Sequence, residues 1–256
     1  MLEVRNLTKF YSGVAAVRDV SFTVRPGEVL GYLGPNGSGK TTTVNMIIGL
    51  LEPTGGKVLY EGRDVQEDLV GFRRRLGYVP EEPNLYPFLS GREYLELVGR
   101  LRGMGERLVA QKIDGFLELF SLAGAADQSI GAYSKGMRQK ILISAALLHD
   151  PSLLVFDEPL SGLDVTTAIV FRHLVEALAA KGKIVLYSSH VLEVVEKICS
   201  AVVVLYQGRA VAHDSVARLR DLMALESLEA VFSELVEQAD PAATASEIVE
   251  VMERRR

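Results

Sequence analysis

Along the first sixty residues the apolar positions come in short bursts, separated by residues that favour turns. Leu2–Val4, Val20–Val24, Val29–Leu33 and Val58–Tyr60 read as strands, with Pro26-Gly27 and Thr54-Gly55-Gly56 as punctuation. Between about Ser90 and Met137 the period lengthens to that of a helix. Ser90-Gly-Arg-Glu93 has the form of a capping box, and Tyr94, Leu95, Leu97, Val98 and Leu101 follow at helical spacing. A second helical stretch carries Leu108, Ile113, Phe116, Leu119 and Phe120, which the pattern assigns to one side. Beyond it, Ile141–Leu148 leads into a strand over Leu153–Phe156. There follow a helix (Val165–Ala180), a strand (Ile184–Ser188), a helix (Val191–Ile198) and two short strands (Ala201–Leu205 and Arg209–His213).

Strands that alternate with helices predict an α/β core built on a parallel sheet, with the helical block inserted into it. No internal repeat is visible. From about Asp221 the chain is acidic and helix-prone. Leu228, Phe232 and Leu235 mark an apolar stripe there, and Asp240-Pro241 separates two predicted helices. Such a stripe ordinarily packs on its own domain; a dimer contact is the alternative.

Composition narrows the classes. With 256 residues, 48% of them hydrophobic, the chain can bury a substantial core as one large domain or two small ones. No apolar run approaches the ~18 residues of a membrane span. The N-terminus lacks the basic-then-apolar layout of a signal peptide. Cys199 is the only cysteine, which rules out an internal disulfide and fits a reducing cytosol. Beside Ile198 on an apolar face, it reads as a core thiol. A formal net charge of −5 argues against a nucleic-acid partner, and the short runs Arg73–Arg75 and Arg254–Arg256 read as solvated surface charge.

The strongest chemical signal is Gly34-Pro35-Asn36-Gly37-Ser38-Gly39-Lys40-Thr41, a phosphate-binding loop of the form G-x-x-x-x-G-K-T. The apolar segment Glu28–Leu33 before it suits a buried strand. The segment Thr41–Leu50 after it suits a helix with Val44, Ile47, Ile48 and Leu51 turned inward. Glycines at 34, 37 and 39 let successive N–H groups point at an anion, and a helix N-terminus adds partial positive charge at the same point. Lys40 would reach the outer phosphates and the Thr41 hydroxyl would sit on Mg²⁺. The competing reading, a glycine-rich turn, leaves the strand–loop–helix context unexplained. Downstream, Leu153-Leu-Val-Phe-Asp157-Glu158 is an apolar strand ending in two carboxylates. Asp157 suits a Mg²⁺ role, and Glu158 suits proton abstraction from an attacking water. Ser188-Ser189-His190 ends another apolar strand, where ligands bind in open α/β sheets, so His190 is a candidate for contact with a γ-phosphate or the water.

Tyr133-Ser134-Lys135-Gly136-Met137 resembles the signature motif of ATP-binding cassette (ABC) ATPases, normally written L-S-G-G-Q. Together with the phosphate loop, the Asp157-Glu158 pair, Ser161-Gly-Leu-Asp164 and His190, in this order, it makes about residues 1–215 similar to that family. The resemblance implies an α/β P-loop NTPase core with a mostly parallel sheet and an N-terminal antiparallel β subdomain. It also implies a helical subdomain inserted over about residues 85–140, an ATPase domain over 1–220 and a helical C-terminal extension over 221–256. ATP and Mg²⁺ are the implied cofactors and ATP hydrolysis the implied activity. Gly34 to Thr42, Thr42 included, would hold the phosphates, and Tyr11 falls where an aromatic ring stacks on adenine. Ser134, Gly136 and Asp164 would act on the nucleotide of a second subunit in a head-to-tail dimer. Gly77-Tyr-Val-Pro-Glu81 looks like the family's Q-loop with glutamate for glutamine, so Glu81 joins Thr41 and Asp157 as a metal candidate and Lys40, Glu158 and His190 as a catalytic one. Lys135 and Met137 depart from the usual signature residues.

Pairing Y-S-K-G-M with Y-V-P-E-E-P-N-L-Y-P is similar to the ATPase subunits of bacterial exporters whose permease is a separate chain. That implies a homodimer or heterodimer at the inner face of the cell membrane, with the segment Pro83–Ser90 pressing on an integral-membrane permease. The rival within the family is a soluble ATPase acting in translation or DNA repair. Those typically carry two cassettes or a long coiled-coil insertion, which 256 residues do not accommodate. A small-molecule kinase or GTPase is disfavoured because the guanine-reading N-K-x-D pattern is missing and Tyr133–Met137 would be left unexplained, and a regulatory subunit because Lys40, Thr41, Asp157, Glu158 and His190 are all in place.

Overall fold

The computed structural model describes residues 1–189 and 192–223. In chain order come β1 (Leu2–Tyr11), β2 (Val14–Val24), β3 (Val29–Leu33), α1 (Lys40–Ile47), β4 (Gly55–Tyr60), β5 (Arg63–Asp64), α2 (Leu69–Arg74) and β6 (Leu76–Val79). The helical block follows as α3 (Gly91–Leu101), α4 (Glu106–Leu119) and α5 (Lys135–Leu147). The chain then alternates through β7 (Leu153–Asp157), α6 (Val165–Ala180), β8 (Ile184–Ser188), α7 (Leu192–Ile198), β9 (Ala201–Tyr206), β10 (Arg209–Ser215) and α8 (Val216–Met223).

Two sheets result. An antiparallel one has the order β2-β1-β4-β5, and a six-stranded one has the order β10-β9-β3-β8-β7-β6. In the larger sheet only β10 runs antiparallel to its neighbour. Its central strands are buried on both faces, which is why they read as unbroken apolar runs instead of alternating ones. Leu30, Tyr32, Leu153, Val155, Ile184, Leu186, Val203 and Leu205 pack toward α1 and the antiparallel sheet. Leu33, Leu154, Phe156, Val185, Tyr187 and Val202 pack toward the helices on the other side. Phe156 meets Phe171 of α6 edge-on, with ring centroids 5.0 Å apart. The Cys199 thiol is buried in that second cluster, and burial pushes its pKa up.

The capping box predicted at Ser90 is present: the Ser90 amide donates to Glu93 Oε2 at 2.8 Å, and the Glu93 amide donates to Ser90 Oγ at 3.2 Å. Two expectations need correction. Helix α1 stops at Ile47, not Leu50, because Gly49 turns into left-handed backbone at φ 71°. The apolar face of α4 agrees with the predicted one in part: Ile113 and Phe120 are buried and Phe116 packs against them, but Leu119 is 81% exposed and Leu108 half exposed, and Val109 and Leu117 are buried in their place. The cause is Gly99 of α3. A Cβ there would lie 2.6 Å from a Val109 methyl, so the missing side chain is the seat into which Val109 fits.

Among the described residues no helix is long and apolar enough to cross a membrane. The predicted C-terminal stripe of Leu228, Phe232 and Leu235, the break at Asp240-Pro241 and the run Arg254–Arg256 lie outside the described residues, as does His190.

Candidate functional site

Parallel pairing brings the C-terminal ends of β3, β8, β7 and β6 side by side. Tyr32 is in register with Ser188, Ser188 with Asp157, and Phe156 with Val79. The loops that leave those ends form a cleft lined by Ala16, Asn36, Gly37, Gly39, Lys40, Thr41, Thr42, Glu81, Asp157 and Glu158. Nine of these ten were singled out from sequence; Ala16 of β2 was not, and no pattern in its own segment marks it.

The loop 34–39 is shaped by contacts on its protein side. Gly39 lies at φ 103° as the N-cap of α1, and a Cβ on it would come within 2.5 Å of the Ala16 carbonyl oxygen. No side chain caps the helix there. The first amides of α1 are therefore left for an anion, with the positive end of the helix dipole behind them. Ser38 is buried, and its carbonyl accepts the Gly208 amide at 3.0 Å. Gly34 and Pro35 face the lysine instead of the cleft: the Lys40 ammonium donates to their carbonyls at 2.6 and 3.2 Å. Burial lowers the Lys40 pKa, and the carboxylates of Glu158, Asp157 and Glu81 oppose that shift.

Asp157, the last residue of β7, is 1% exposed. Burial, helped by the charges of Glu81 and Glu158, pushes its carboxyl up to about 6, while Lys40 pulls the other way. Ser188 lies close enough to soften that shift without completing a hydrogen bond: Asp157 Oδ2 and Ser188 Oγ are both buried and unpartnered. A buried, orphaned carboxylate oxygen beside the Thr41 hydroxyl and Glu81 is a hard-oxygen donor set that fits Mg²⁺. Among the described residues no three His, Cys, Asp or Glu side chains form a closed metal cluster.

Glu158 leaves the strand in left-handed backbone at φ 47°. For a residue with a Cβ this conformation costs about 1–2 kcal/mol, and it persists only where the surroundings enforce it. Three contacts do so here. The Glu158 amide donates to the Ser188 carbonyl at 3.0 Å, its own carbonyl accepts the Ser161 amide at 3.1 Å, and Oε2 accepts the Ser189 hydroxyl at 3.2 Å.

The other sequence candidates among the described residues do not line this cleft. Tyr11, at the end of β1, is 49% exposed, with the Lys9 ammonium 5.6 Å above its ring. Ser134 caps α5, its hydroxyl accepting the Met137 amide at 3.2 Å. Asp164 caps α6, accepting the Thr167 hydroxyl at 2.6 Å and the Thr167 amide at 2.8 Å, and those hydrogen bonds hold its carboxyl down at about 2. The two helix starts meet: Gly136 lies against the Gly162 carbonyl, and Lys140 is 3.7 Å from Asp164. Ser134, Gly136 and Asp164 thus form a second polar cluster.

Comparison with known proteins accords with this geometry. The family described as ABC transporter matches residues 17–161. The ABC transporter ATP-binding protein NatA of Bacillus subtilis is 37% identical over 220 residues, 86% of this chain and 89% of its own. A solved ATP-binding subunit of an ABC transporter superposes with a TM-score of 0.87 at 34% identity, covering 92% of this chain and 99% of that one. The dimeric post-hydrolysis state of the ATP-binding cassette MJ0796, bound to ADP and phosphate, superposes with a TM-score of 0.78 at 26% identity, covering 84% of this chain and 98% of that one. The chain therefore belongs to the ABC transporter family, as an ATP-binding subunit that hydrolyses ATP.

Proposed function

We propose that the cleft holds ATP with Mg²⁺ and that Glu158 is the general base of its hydrolysis. The observation that carries this reading is the strained backbone of Glu158, tethered by Ser161, Ser188 and Ser189 at the rim of the phosphate loop. Amides of residues 36–41 surround the phosphates, and Lys40 swings from the Gly34 carbonyl to their outer oxygens. Thr41, Asp157 and Glu81 would hold Mg²⁺, and the ion would supply positive charge to offset a triphosphate beside the three carboxylates. Glu158 takes the proton of the attacking water, and His190, next in sequence after Ser189, contacts the γ-phosphate or that water. Tyr11 stacks on adenine with the ring face that Lys9 leaves free.

In this reading the second polar cluster serves a second subunit. Ser134, Gly136 and the start of α5 close over the nucleotide of a homodimeric or heterodimeric partner, with Asp164 across the same interface. Residues 1–220 act as the ATPase domain, with about 85–140 as its helical insertion and 221–256 as an extension. Closure and reopening drive a separate integral-membrane permease in the export direction, from the inner face of the membrane. Tyr86 and Phe88, 61% and 91% exposed in the segment 83–90, are the apolar contacts offered to it.

The test combines Glu158→Gln with affinity capture. In detergent extracts of membranes, the variant should retain a membrane protein as partner, form an ATP-dependent dimer by size-exclusion chromatography, and lose turnover by orders of magnitude. Hydrolysis at the wild-type rate would remove the base assignment. Capture of no membrane protein would favour the non-transport reading.

A further inference from the structure

The first turn of α5 and the loop 159–164 are sewn together more closely than either helix cap requires. Lys135, at the first position of α5, extends its side chain so that Nζ donates to the Ser161 hydroxyl at 2.6 Å. Among the described residues its ammonium makes no ion pair, so the hydroxyl is its specific partner. The approach depends on Gly162, where a Cβ would lie 2.8 to 3.3 Å from Cγ, Cδ and Cβ of Lys135. The stem is thus packed on bare backbone while the ammonium is held at its tip. Behind it, the buried Gln139 donates from Nε2 to the Pro159 carbonyl at 3.0 Å.

Ser161 has a second attachment. Its amide donates to the Glu158 carbonyl at 3.1 Å and closes the turn that carries Glu158 at φ 47°. Lys135, Ser161 and Glu158 therefore form a continuous chain: ammonium to hydroxyl, then amide to carbonyl. A lone exposed side-chain hydrogen bond would contribute little. Here it fixes a residue whose backbone restrains a strained neighbour, so its loss falls on the geometry of Glu158 more than on global stability.

We propose that Lys135 is a positioning residue for Glu158, acting through Ser161, so that the lysine in the signature segment sets the aim of the catalytic carboxylate in the same chain. The proposal rests on the reading of Glu158 as the base. It also gives the departure from the usual signature glycine a job inside its own subunit, separate from any contact with a second nucleotide.

The test is steady-state ATP hydrolysis by the full-length protein carrying Lys135→Met, Lys135→Arg, Ser161→Ala, and Lys135→Met with Ser161→Ala. Methionine keeps the apolar stem on Gly162 and removes only the ammonium; arginine restores a donor. Lys135→Met and Ser161→Ala should each lower kcat about 10-fold with KM for ATP within about 2-fold, the double variant should match the singles, and Lys135→Arg should recover most of the rate. Hydrogen exchange of the amides in 158–164 should quicken in Lys135→Met without a change in melting temperature. Wild-type kcat in Lys135→Met alongside an inactive Glu158→Gln would overturn the positioning role and leave the base reading intact. Multiplying losses in the double variant would overturn it as well. Wild-type turnover in Glu158→Gln would remove the base reading, and this proposal with it.

Discussion

The ammonium of Lys40 lies 2.6 Å from the carbonyl oxygen of Gly34, folded back over the loop that leads into its own helix. The lysine is thereby held in the cleft while it stays solvated by backbone, close to where phosphate oxygens would replace those carbonyls. Lys40→Ala removes a charged donor and should weaken ATP binding by roughly 10- to 100-fold, the span of a charge-assisted hydrogen bond. Isothermal titration with ATP measures it, and unchanged affinity would count against the loop's role.

Gly39 carries a steric requirement that no side chain meets. At φ 103°, with a Cβ placed 2.5 Å from the Ala16 carbonyl oxygen, Gly39→Ala combines backbone strain with overpacking. A loss of roughly 2–4 kcal/mol is expected, read as a lower urea midpoint at constant slope. ATP affinity should fall too, because the loop must shift to accept the methyl group.

Glu158 presents the opposite case. Its left-handed backbone at φ 47° is a conformation glycine adopts freely. Glu158→Gly should leave stability unchanged or raise it by up to about 1 kcal/mol, after offsetting glycine's greater freedom in the unfolded chain. Turnover should collapse in the same variant. Thermal unfolding and an ATPase assay together check the pair, and a melting temperature lowered by many degrees would refute the claim of strain.

Acid stability of the nucleotide-free protein follows from Asp157. Its folded pKa, about 6, lies above the 3.8 of a free carboxyl, so the native state binds the proton more tightly than the unfolded chain. Protonation therefore favours folding: the contribution is fully present below about pH 4 and is lost as pH rises through about 6. This one group should make the Asp157→Asn variant less sensitive to pH than the wild type between about pH 4 and 6, by an amount on the order of 2–3 kcal/mol. Urea unfolding of both proteins across that window is the measurement. A wild-type curve that parallels the variant's would exclude the raised pKa.

Sequence was most informative where chemistry restricts residue choice. The glycine loop, the carboxylates ending β7 and the Ser90–Glu93 capping box each need particular side chains at fixed spacing, and each is where it was expected. Strands β3, β7 and β8 were legible because burial on both faces leaves an uninterrupted apolar run. By contrast α2 has only Phe72 buried, and β6 is four residues at the sheet edge, so neither has a period long enough to register. The orientation of α4 depended on Gly99 of another helix, which a single-helix pattern does not contain. The supports of Glu158 were hidden for the same reason. Ser189 and Ser161 are short polar residues, and Ser161 meets Lys135 across 26 positions of sequence.

The strand order also fixes when this site can exist during synthesis. Strand β3, which launches the phosphate loop, pairs only with β8 and β9: Val29 with Val185 and Leu30 with Ala201. A ribosome-bound chain therefore displays the loop long before the strands that flank it have emerged. Nucleotide should be unable to hold the nascent chain folded until almost the whole described region is outside the tunnel, which makes the growing polypeptide a natural client for chaperones throughout that interval.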